Sequence, residues 1–135
     1  MREKFTFWFV LALLGIGVFY AIRPAIRPHR SGESPEKAAY ADIHGGIKSA
    51  LDEFQVDIGH YPQGSNGLLE LVRQPTGTTN WHGPYVDPPK WPVDPWGRKY
   101  IYEFPGKHGT NGYDLFSAGP DGKAGTEDDI GSWMN

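Results

Sequence analysis

The chain has 135 residues, a net charge of −3 at pH 7 and no cysteine. A chain of this length forms one small domain besides any membrane anchor, and that domain buries only a modest core. The lack of cysteine excludes disulfides, thiolate metal sites and a lipid anchor on cysteine. The charges are mixed in sign and slightly acidic overall, without the basic surface that binds nucleic acid, so no nucleic-acid partner is expected.

A hydrophobic segment near the N-terminus predicts a membrane helix. Residues 5–22 are all apolar, aromatic or small except for Thr6, and as a helix they would be about 27 Å long, close to the thickness of a bilayer core. A cleaved signal sequence has the same layout, but no A-x-A-type cleavage site follows this segment. The sequence therefore favours a retained membrane helix, with its short charged start, over residues 1–27.

The residues that flank and follow this segment bear on its orientation. Three arginines follow the span, against two basic residues before it, so the charge bias alone leans towards a cytoplasmic C-terminal domain. Pro28, Gly32 and Pro35 then interrupt any helix that continues from the membrane. The sequence predicts a hinge over residues 28–35 and a separate domain over residues 36–135.

A long amphipathic helix is predicted for residues 35–58. Ser34 can cap its first turn, and Gly59 is expected to end it. Gly45 and Gly46 in the middle cost helix stability, about 2 kcal/mol for the pair, so tertiary packing must hold this turn. Apolar residues at three- and four-residue spacing form a single stripe along the helix. The stripe consists of Ile43, Ile47, Ala50, Leu51, Phe54 and Ile58.

The rest of the chain predicts short elements joined by irregular connections. Residues 65–72 predict a short helix, residues 99–104 and 113–117 predict two strands of a hairpin, and residues 130–133 predict a third short strand. A helix followed by a small antiparallel sheet is an α+β layout. Asp94 is expected to form a turn rather than to act as a catalytic acid. Three tryptophans are expected to lie in the core or to clamp loops rather than to bind a ligand: Trp81, Trp96 and Trp133.

The most chemically distinctive segment is an acidic loop at residues 117–130. Three consecutive acids repel one another there, and a fourth lies upstream at Asp121. A calcium ion relieves such repulsion, because it takes about 6–8 oxygens from carboxylates and backbone carbonyls. Gly119, Gly122 and Gly125 would let the backbone curl so that its carbonyls point inward. The spacing is not that of an EF-hand, and composition alone favours a solvated loop over a calcium site.

A series of short sequence blocks spans residues 39–135. The blocks are DIGHYP at residues 57–62, GLLELV at 67–72, GPY at 83–85, DPWGRKY at 94–100, GKHG at 106–109, YDL at 113–115, SAGPDG at 117–122 and the segment 125–133. In order and in spacing, these blocks resemble the G-type (major) pseudopilins of type II secretion systems. One block would be weak evidence, whereas this many in order is strong evidence.

This resemblance implies a pseudopilin-like α+β fold with a calcium-binding loop. In such a fold an N-terminal membrane helix leads to a long amphipathic helix, which packs on a small antiparallel sheet with the loop at its C-terminal end. The resemblance favours Ca²⁺ over the solvated loop, with Glu127 facing solvent. The implied ligands are the carboxylates of Asp121, Asp128 and Asp129 and backbone carbonyls near Ser117 and Ala118.

The resemblance also implies a structural function and a location. Such a subunit polymerises into a filament, the pseudopilus, with other pseudopilins and with inner-membrane components of the secretion system, and it is no enzyme. The implied location is the bacterial inner membrane, crossed once, with the C-terminal domain in the periplasm. This placement rests on the resemblance and opposes the weak charge bias described above.

The N-terminus departs from the family pattern. Family members carry a leader that ends in Gly, is cut before a methylated Phe, and is followed by Glu at the fifth mature position. Here Phe5 agrees, but Lys4 replaces the Gly and Phe9 replaces the Glu. An alternative is therefore a membrane-anchored, non-polymerising, pseudopilin-like binding module. A third interpretation, an enzyme on the same scaffold, would require a deep pocket with titratable groups of shifted pKa.

Overall fold

The structure, a computed structural model, describes residues 32–108 and 112–135 of the chain. The predicted membrane helix, the leader positions Lys4 and Phe9 and the first part of the predicted hinge lie outside these residues. Within the described residues, no helix is both long enough and apolar enough to cross a bilayer.

One helical segment runs from Pro35 to Ile58, as the sequence predicts. It consists of α1 (Pro35–Ala41), a π-helical turn (Asp42–Gly46) and α2 (Ile47–Ile58). The wider π turn contains the glycine pair, where the helix is intrinsically weakest. The sequence therefore located the weak turn, whereas its π geometry is a finding of the structure.

Both ends of this helical segment are closed as predicted. The Ser34 hydroxyl accepts a hydrogen bond from the Lys37 amide at 3.3 Å, which satisfies one of the free amides of the first turn. Gly59 adopts a left-handed conformation with φ of 92°, and its amide donates to the Gln55 carbonyl at 2.8 Å. A glycine adopts this conformation without steric cost, so the helix ends there.

The predicted apolar stripe forms one side of the core. All of its residues except Ile58 are at most 1% exposed, and Ile58 is partly buried at the edge of the core. Aromatic side chains of the C-terminal half face the helix and give the core much of its volume. The largest buried partners outside the helix are Leu68, Leu71, Val86, Tyr100, Tyr102, Tyr113 and Leu115.

Three short antiparallel strands form a sheet in the order β1-β2-β3. They are β1 (Ile101–Glu103), β2 (Asp114–Ser117) and β3 (Ile130–Gly131). Every residue of the central strand β2 is buried. The last pair of the β2–β3 register joins Ser117 to Ile130, which closes the acidic loop at its base. The three strands confirm the predicted α+β layout, and each is shorter than predicted.

The predicted short helix at residues 65–72 is a 3-10 helix that spans Gly67–Leu71. Its first residue packs directly against the Tyr102 ring, because a Cβ added at Gly67 would lie 2.5 Å from a ring carbon. The Tyr102 hydroxyl donates to the Pro62 carbonyl at 2.8 Å. This close approach fixes the 3-10 helix to the sheet.

The tryptophans hold the irregular connections, as the sequence analysis expects. The Trp81 indole donates to the Glu70 carbonyl at 2.8 Å, across the connection that follows the 3-10 helix. The Trp133 ring stacks on His108 with ring centroids 4.3 Å apart. These rings therefore clamp loops onto the core.

A buried carboxylate on β2 holds the connection between β1 and β2. Asp114 is 1% exposed, and it accepts the amides of Lys107 at 2.7 Å and His108 at 3.1 Å and contacts the His108 ring nitrogen at 3.0 Å. Burial alone would raise the pKa of Asp114, but these donors outweigh it and hold the pKa below its ordinary value. The ionised form is therefore the one that the fold stabilises.

Replacing Asp114 by Asn should lower the free energy of unfolding at pH 7 by about 2–3 kcal/mol, because an amide cannot accept this set of donors. The folded pKa of Asp114 lies below its unfolded value of about 4, so its contribution is complete above pH 4 and is lost as the pH falls through the folded pKa. Denaturant unfolding from pH 7 to pH 3 should show that the free energies of unfolding of the natural chain and of Asp114→Asn converge below pH 4. Glu103→Gln, which removes a half-buried acid opposite Asp114 in the β1–β2 register and with it an ion pair to the exposed Lys107, should change stability by under about 0.5 kcal/mol.

Two glycines should respond to alanine in opposite directions. A Cβ at Gly45 meets no atom within 4 Å, so Gly45→Ala should stabilise the protein by about 1 kcal/mol through helix propensity alone. Gly67→Ala forces a Cβ into the Tyr102 ring and should destabilise it by about 1–3 kcal/mol. Denaturant unfolding of both variants tests this difference, and a destabilised Gly45→Ala variant would contradict it.

Candidate functional site

The acidic loop joins β2 to β3 across residues 118–129 and is built on three left-handed glycines. Gly119, Gly122 and Gly125 have φ of 61°, 70° and 86°. This confirms that glycine lets the backbone curl here, as the sequence analysis expects. A Cβ at Gly119 would collide with the Asp128 carbonyl oxygen, so the two arms of the loop cross in contact at this glycine.

The acidic side chains fold back onto amides of their own loop. An Asp128 oxygen accepts the Asp121 amide at 3.0 Å, and Asp121 accepts the Lys123 amide at 2.7 Å. Asp129 accepts the Gly125 amide at 2.7 Å. The hydrogen bond from Asp121 to Asp128 brings the two arms of the loop together. Each carboxylate retains further acceptor capacity, because its two oxygens carry about four lone pairs.

Hydrogen bonds keep Asp128 ionised. The Thr126 hydroxyl donates to its second oxygen, and this bond together with the Asp121 amide lowers the pKa of Asp128. Glu127 is exposed, as the resemblance implies. The loop therefore presents anionic oxygen at neutral pH.

One oxygen of Asp129 is the atom that best fits a bound cation. Asp129 Oδ1 is buried and has no hydrogen-bond partner among the described residues. A buried anionic oxygen without a partner is costly, and a metal ion would satisfy it. The loop offers only hard oxygen donors, which suit Ca²⁺ rather than zinc. The residues present fit a calcium ion in this respect.

The structure does not gather the three predicted carboxylates into one cluster. In the part of the chain that it describes, no group of three or more Asp, Glu, His or Cys side chains lies close enough to hold a metal ion. Backbone carbonyls would therefore have to supply much of any calcium shell. Such a contribution is ordinary for calcium, which binds carbonyl and carboxylate oxygens alike.

Ser117 and Ala118, whose carbonyls the resemblance implies as ligands, lie at the base of the loop and are buried. The Ser117 hydroxyl donates to Asp94 Oδ2 at 2.7 Å and accepts the Gly119 amide at 3.2 Å. This hydroxyl is therefore engaged within the protein. The arrangement is consistent with a ligand role for the backbone carbonyls rather than for this side chain.

The turn at residues 94–98 contacts the loop, a role that the sequence analysis missed. Asp94 is 3% exposed and accepts the amides of Trp96 at 3.1 Å and Arg98 at 2.8 Å, which confirms it as the turn former. The Arg98 guanidinium donates to the Gly119 carbonyl. The DPWGRKY block ends 17 residues before Ser117, and a contact at that distance along the chain leaves no periodic signal.

Comparison with known proteins assigns the family. Residues 28–133 match the model of the family described as Type II secretion system (T2SS), protein G. The chain is 38% identical over 129 residues to the type II secretion system core protein G of Escherichia coli, with 92% of this chain and 83% of that protein covered. It is 37% identical over 144 residues to the protein of the same description from Pseudomonas aeruginosa, with 99% of each covered.

A solved structure agrees with the sequence relatives. The crystal structure of the major pseudopilin from the type 2 secretion system of enterohaemorrhagic Escherichia coli superimposes with a TM-score of 0.63 at 34% identity. The match covers 79% of this chain and 92% of that chain. The order of the sequence blocks, the fold and the matched relatives therefore agree, and the chain belongs to the type II secretion system protein G family, the major pseudopilins.

Proposed function

We propose that this chain is a structural subunit of the pseudopilus of a type II secretion system. The observation that carries the proposal is the family match over residues 28–133, together with the fold shared with a major pseudopilin. Such a subunit would associate with copies of itself, with other pseudopilins and with inner-membrane components of the secretion system. This structural role requires no catalytic group, and we assign none.

The proposal includes a membrane anchor over residues 1–27, a hinge over residues 28–35 and a periplasmic domain over residues 36–135. Its support is the hydrophobic segment at residues 5–22, which is long enough to cross a bilayer once. The bacterial inner membrane is the location that fits a subunit of this family. A helix that begins at Pro35 and is preceded by Gly32 with φ of 110° is compatible with a hinge at that point.

Calcium would stabilise the C-terminal loop of this subunit. We assign the carboxylates of Asp121, Asp128 and Asp129 and the backbone carbonyls of Ser117 and Ala118 as its ligands. The support is the buried oxygen of Asp129, which has no hydrogen-bond partner in the described part of the chain, and the all-oxygen donor set of the loop. A bound Ca²⁺ would supply positive charge where consecutive acids repel one another.

The loop is well placed to affect the helix that leads to the membrane. It ends directly at β3, whose Ile130 pairs with Ser117. In turn, β3 contacts α1, the first helical element of the described chain. A calcium-stabilised loop would therefore fix β3 and support the start of the helix.

The alternative function is a membrane-anchored binding module that does not polymerise. Two departures at the N-terminus favour it, because Lys4 replaces the residue before the leader cleavage point and Phe9 replaces the acid of the mature N-terminus. Within a hydrophobic helix Phe9 is harmless to a simple anchor, since no carboxylate has to be buried. Processing of the leader separates the two functions.

Co-expression with a prepilin peptidase tests the subunit function. If Lys4 is still read as a leader end, the intact mass of the membrane-purified chain should lack the residues through Lys4, with or without a methyl group on Phe5. Lys4→Gly, which restores the family residue, is the positive control for the peptidase. If the peptidase processes the Lys4→Gly control but not the natural chain, the result would favour the binding module. If the natural chain forms filaments when it is expressed with a secretion system, the binding module would be excluded.

Asp129→Asn should have effects of opposite sign in chelator and in calcium. In chelator the variant should be at least as stable as the natural chain, because it removes the charge from a carboxylate of which one buried oxygen has no hydrogen-bond partner among the described residues. In calcium the natural chain should gain about 2.7 kcal/mol at an ion concentration about 100 times Kd, and the variant should lose most of this gain. Melting of the full chain in detergent measures the stability of each protein in chelator and in calcium.

Glu127→Gln is the control, because it removes one charge from the exposed side of the loop. It should keep most of the stability gained in calcium, so equal losses in Glu127→Gln and Asp129→Asn would contradict the assigned ligands.

A further inference from the structure

Arg98 holds the point where the two arms of the acidic loop cross. Its guanidinium donates to the Gly119 carbonyl, and the Gly119 amide donates to the Ser117 hydroxyl at 3.2 Å. Both backbone groups of Gly119 are thus hydrogen-bonded to side chains, one to Arg98 and one to Ser117. Directly behind that glycine lies the Asp128 carbonyl, so close that no Cβ would fit between them.

The contacts around Arg98 form a closed ring with the turn that carries it. The Ser117 hydroxyl donates to Asp94 Oδ2 at 2.7 Å, and Asp94 Oδ1 accepts the Arg98 amide at 2.8 Å. The ring therefore runs from Asp94 through Ser117 and Gly119 to Arg98 and back. Asp94 is buried, so the ring is anchored in the protein interior.

The Arg98 side chain is itself held in place. Its Nε lies 3.8 Å from Asp94 Oδ2, and its guanidinium carbon lies 5.7 Å from the centre of the Trp96 ring. A Cβ added at Gly122 would lie 3.2 Å from the guanidinium, so the loop backbone passes directly over it. A planar guanidinium suits this position, because it can stack on a ring while it donates to a carbonyl.

We propose that Arg98 is a positioning residue that holds the acidic loop in its folded arrangement in the absence of a metal ion and so pre-organises Asp121 and Asp128 for calcium. The second half of this proposal rests on the calcium function proposed above. A hydrogen bond from a guanidinium to a carbonyl is charge-assisted and therefore stronger than a neutral one. A loop whose backbone is already folded pays a smaller ordering cost when it binds its ligand.

Trypsin cleavage in the loop tests the proposal, because Lys123 lies in the exposed part of the loop. The full-length chain in detergent is digested in chelator, and release of the fragment 124–135 is followed by mass spectrometry. Arg98→Gln should release this fragment about tenfold faster than the natural chain, since opening the loop no longer breaks a charge-assisted hydrogen bond. Cleavage at the natural rate would overturn the proposal.

Two comparisons separate a local effect from a general one. Lys99→Gln removes the same charge from the next residue, whose ammonium lies over Trp91 at 4.8 Å and not on the loop, and should leave the rate unchanged. Cleavage after Lys48, which lies in the first turn of α2 and near the middle of the packed helical segment Pro35–Ile58, reports opening of the core. If Arg98→Gln accelerates cleavage after Lys48 as much as after Lys123, the effect is global and the proposal fails.

Arg98→Lys separates geometry from charge. Lysine keeps the charge but lacks the planar fork, so this variant should also be cleaved faster than the natural chain. If Arg98→Lys were cleaved at the rate of the natural chain while Arg98→Gln were cleaved faster, the positive charge alone would be sufficient to hold the loop. That result would overturn the positioning role.

Repeating the digestion in saturating calcium addresses the proposed ligand. Calcium should slow cleavage after Lys123 in the natural chain, and it should reduce the difference in cleavage rate between the natural chain and Arg98→Gln, because a bound ion would itself favour the closed loop. If calcium leaves the natural rate unchanged, the calcium function fails together with pre-organisation for that ion. The comparison in chelator still decides whether Arg98 holds the loop.

Discussion

The carboxylate of Asp94 is the group on which the C-terminal half of this domain depends. It is 3% exposed, and it accepts two amides of its own turn together with the hydroxyl of Ser117 on the central strand. An ionised carboxylate in the interior is costly unless its oxygens are bonded. Three segments meet at this carboxylate: the turn, the end of β2 and the base of the acidic loop. They have to form together, because each supplies a partner that the others need.

The rest of the architecture connects this polar centre to the helix. The helix packs its apolar stripe against tyrosines and leucines that precede or belong to the sheet, and β3 returns from the acidic loop to contact α1. A short sheet of two- to four-residue strands offers little cooperativity by itself. Its order comes from burial against the helix on one side and from the Asp94 and Asp114 carboxylates at its ends.

Local signals were sufficient for most of the fold. The three-and-four spacing of Ile43, Ile47 and Leu51 predicts the buried face, and Ser34 and Gly59 predict the helix ends, because each of these effects acts within a few residues of the chain. The strands were placed correctly, but their lengths were overestimated, since pairing with a neighbour decides where a strand ends. The π turn was also not predicted, because glycine indicates weakness without specifying geometry.

For the candidate site, the sequence by itself determined the composition of the acidic loop, the three glycines that curl it and, through the order of its blocks, the family. Only the tertiary structure decided how the aspartates are arranged and that one buried oxygen of Asp129 has no partner among the residues that the structure describes. It also decided that Arg98, in a turn far away along the chain, donates to the Gly119 carbonyl. The physical reason is that glycine conformation is a local property of the backbone. A hydrogen bond between residues 21 positions apart exists only after the core has brought two surfaces together.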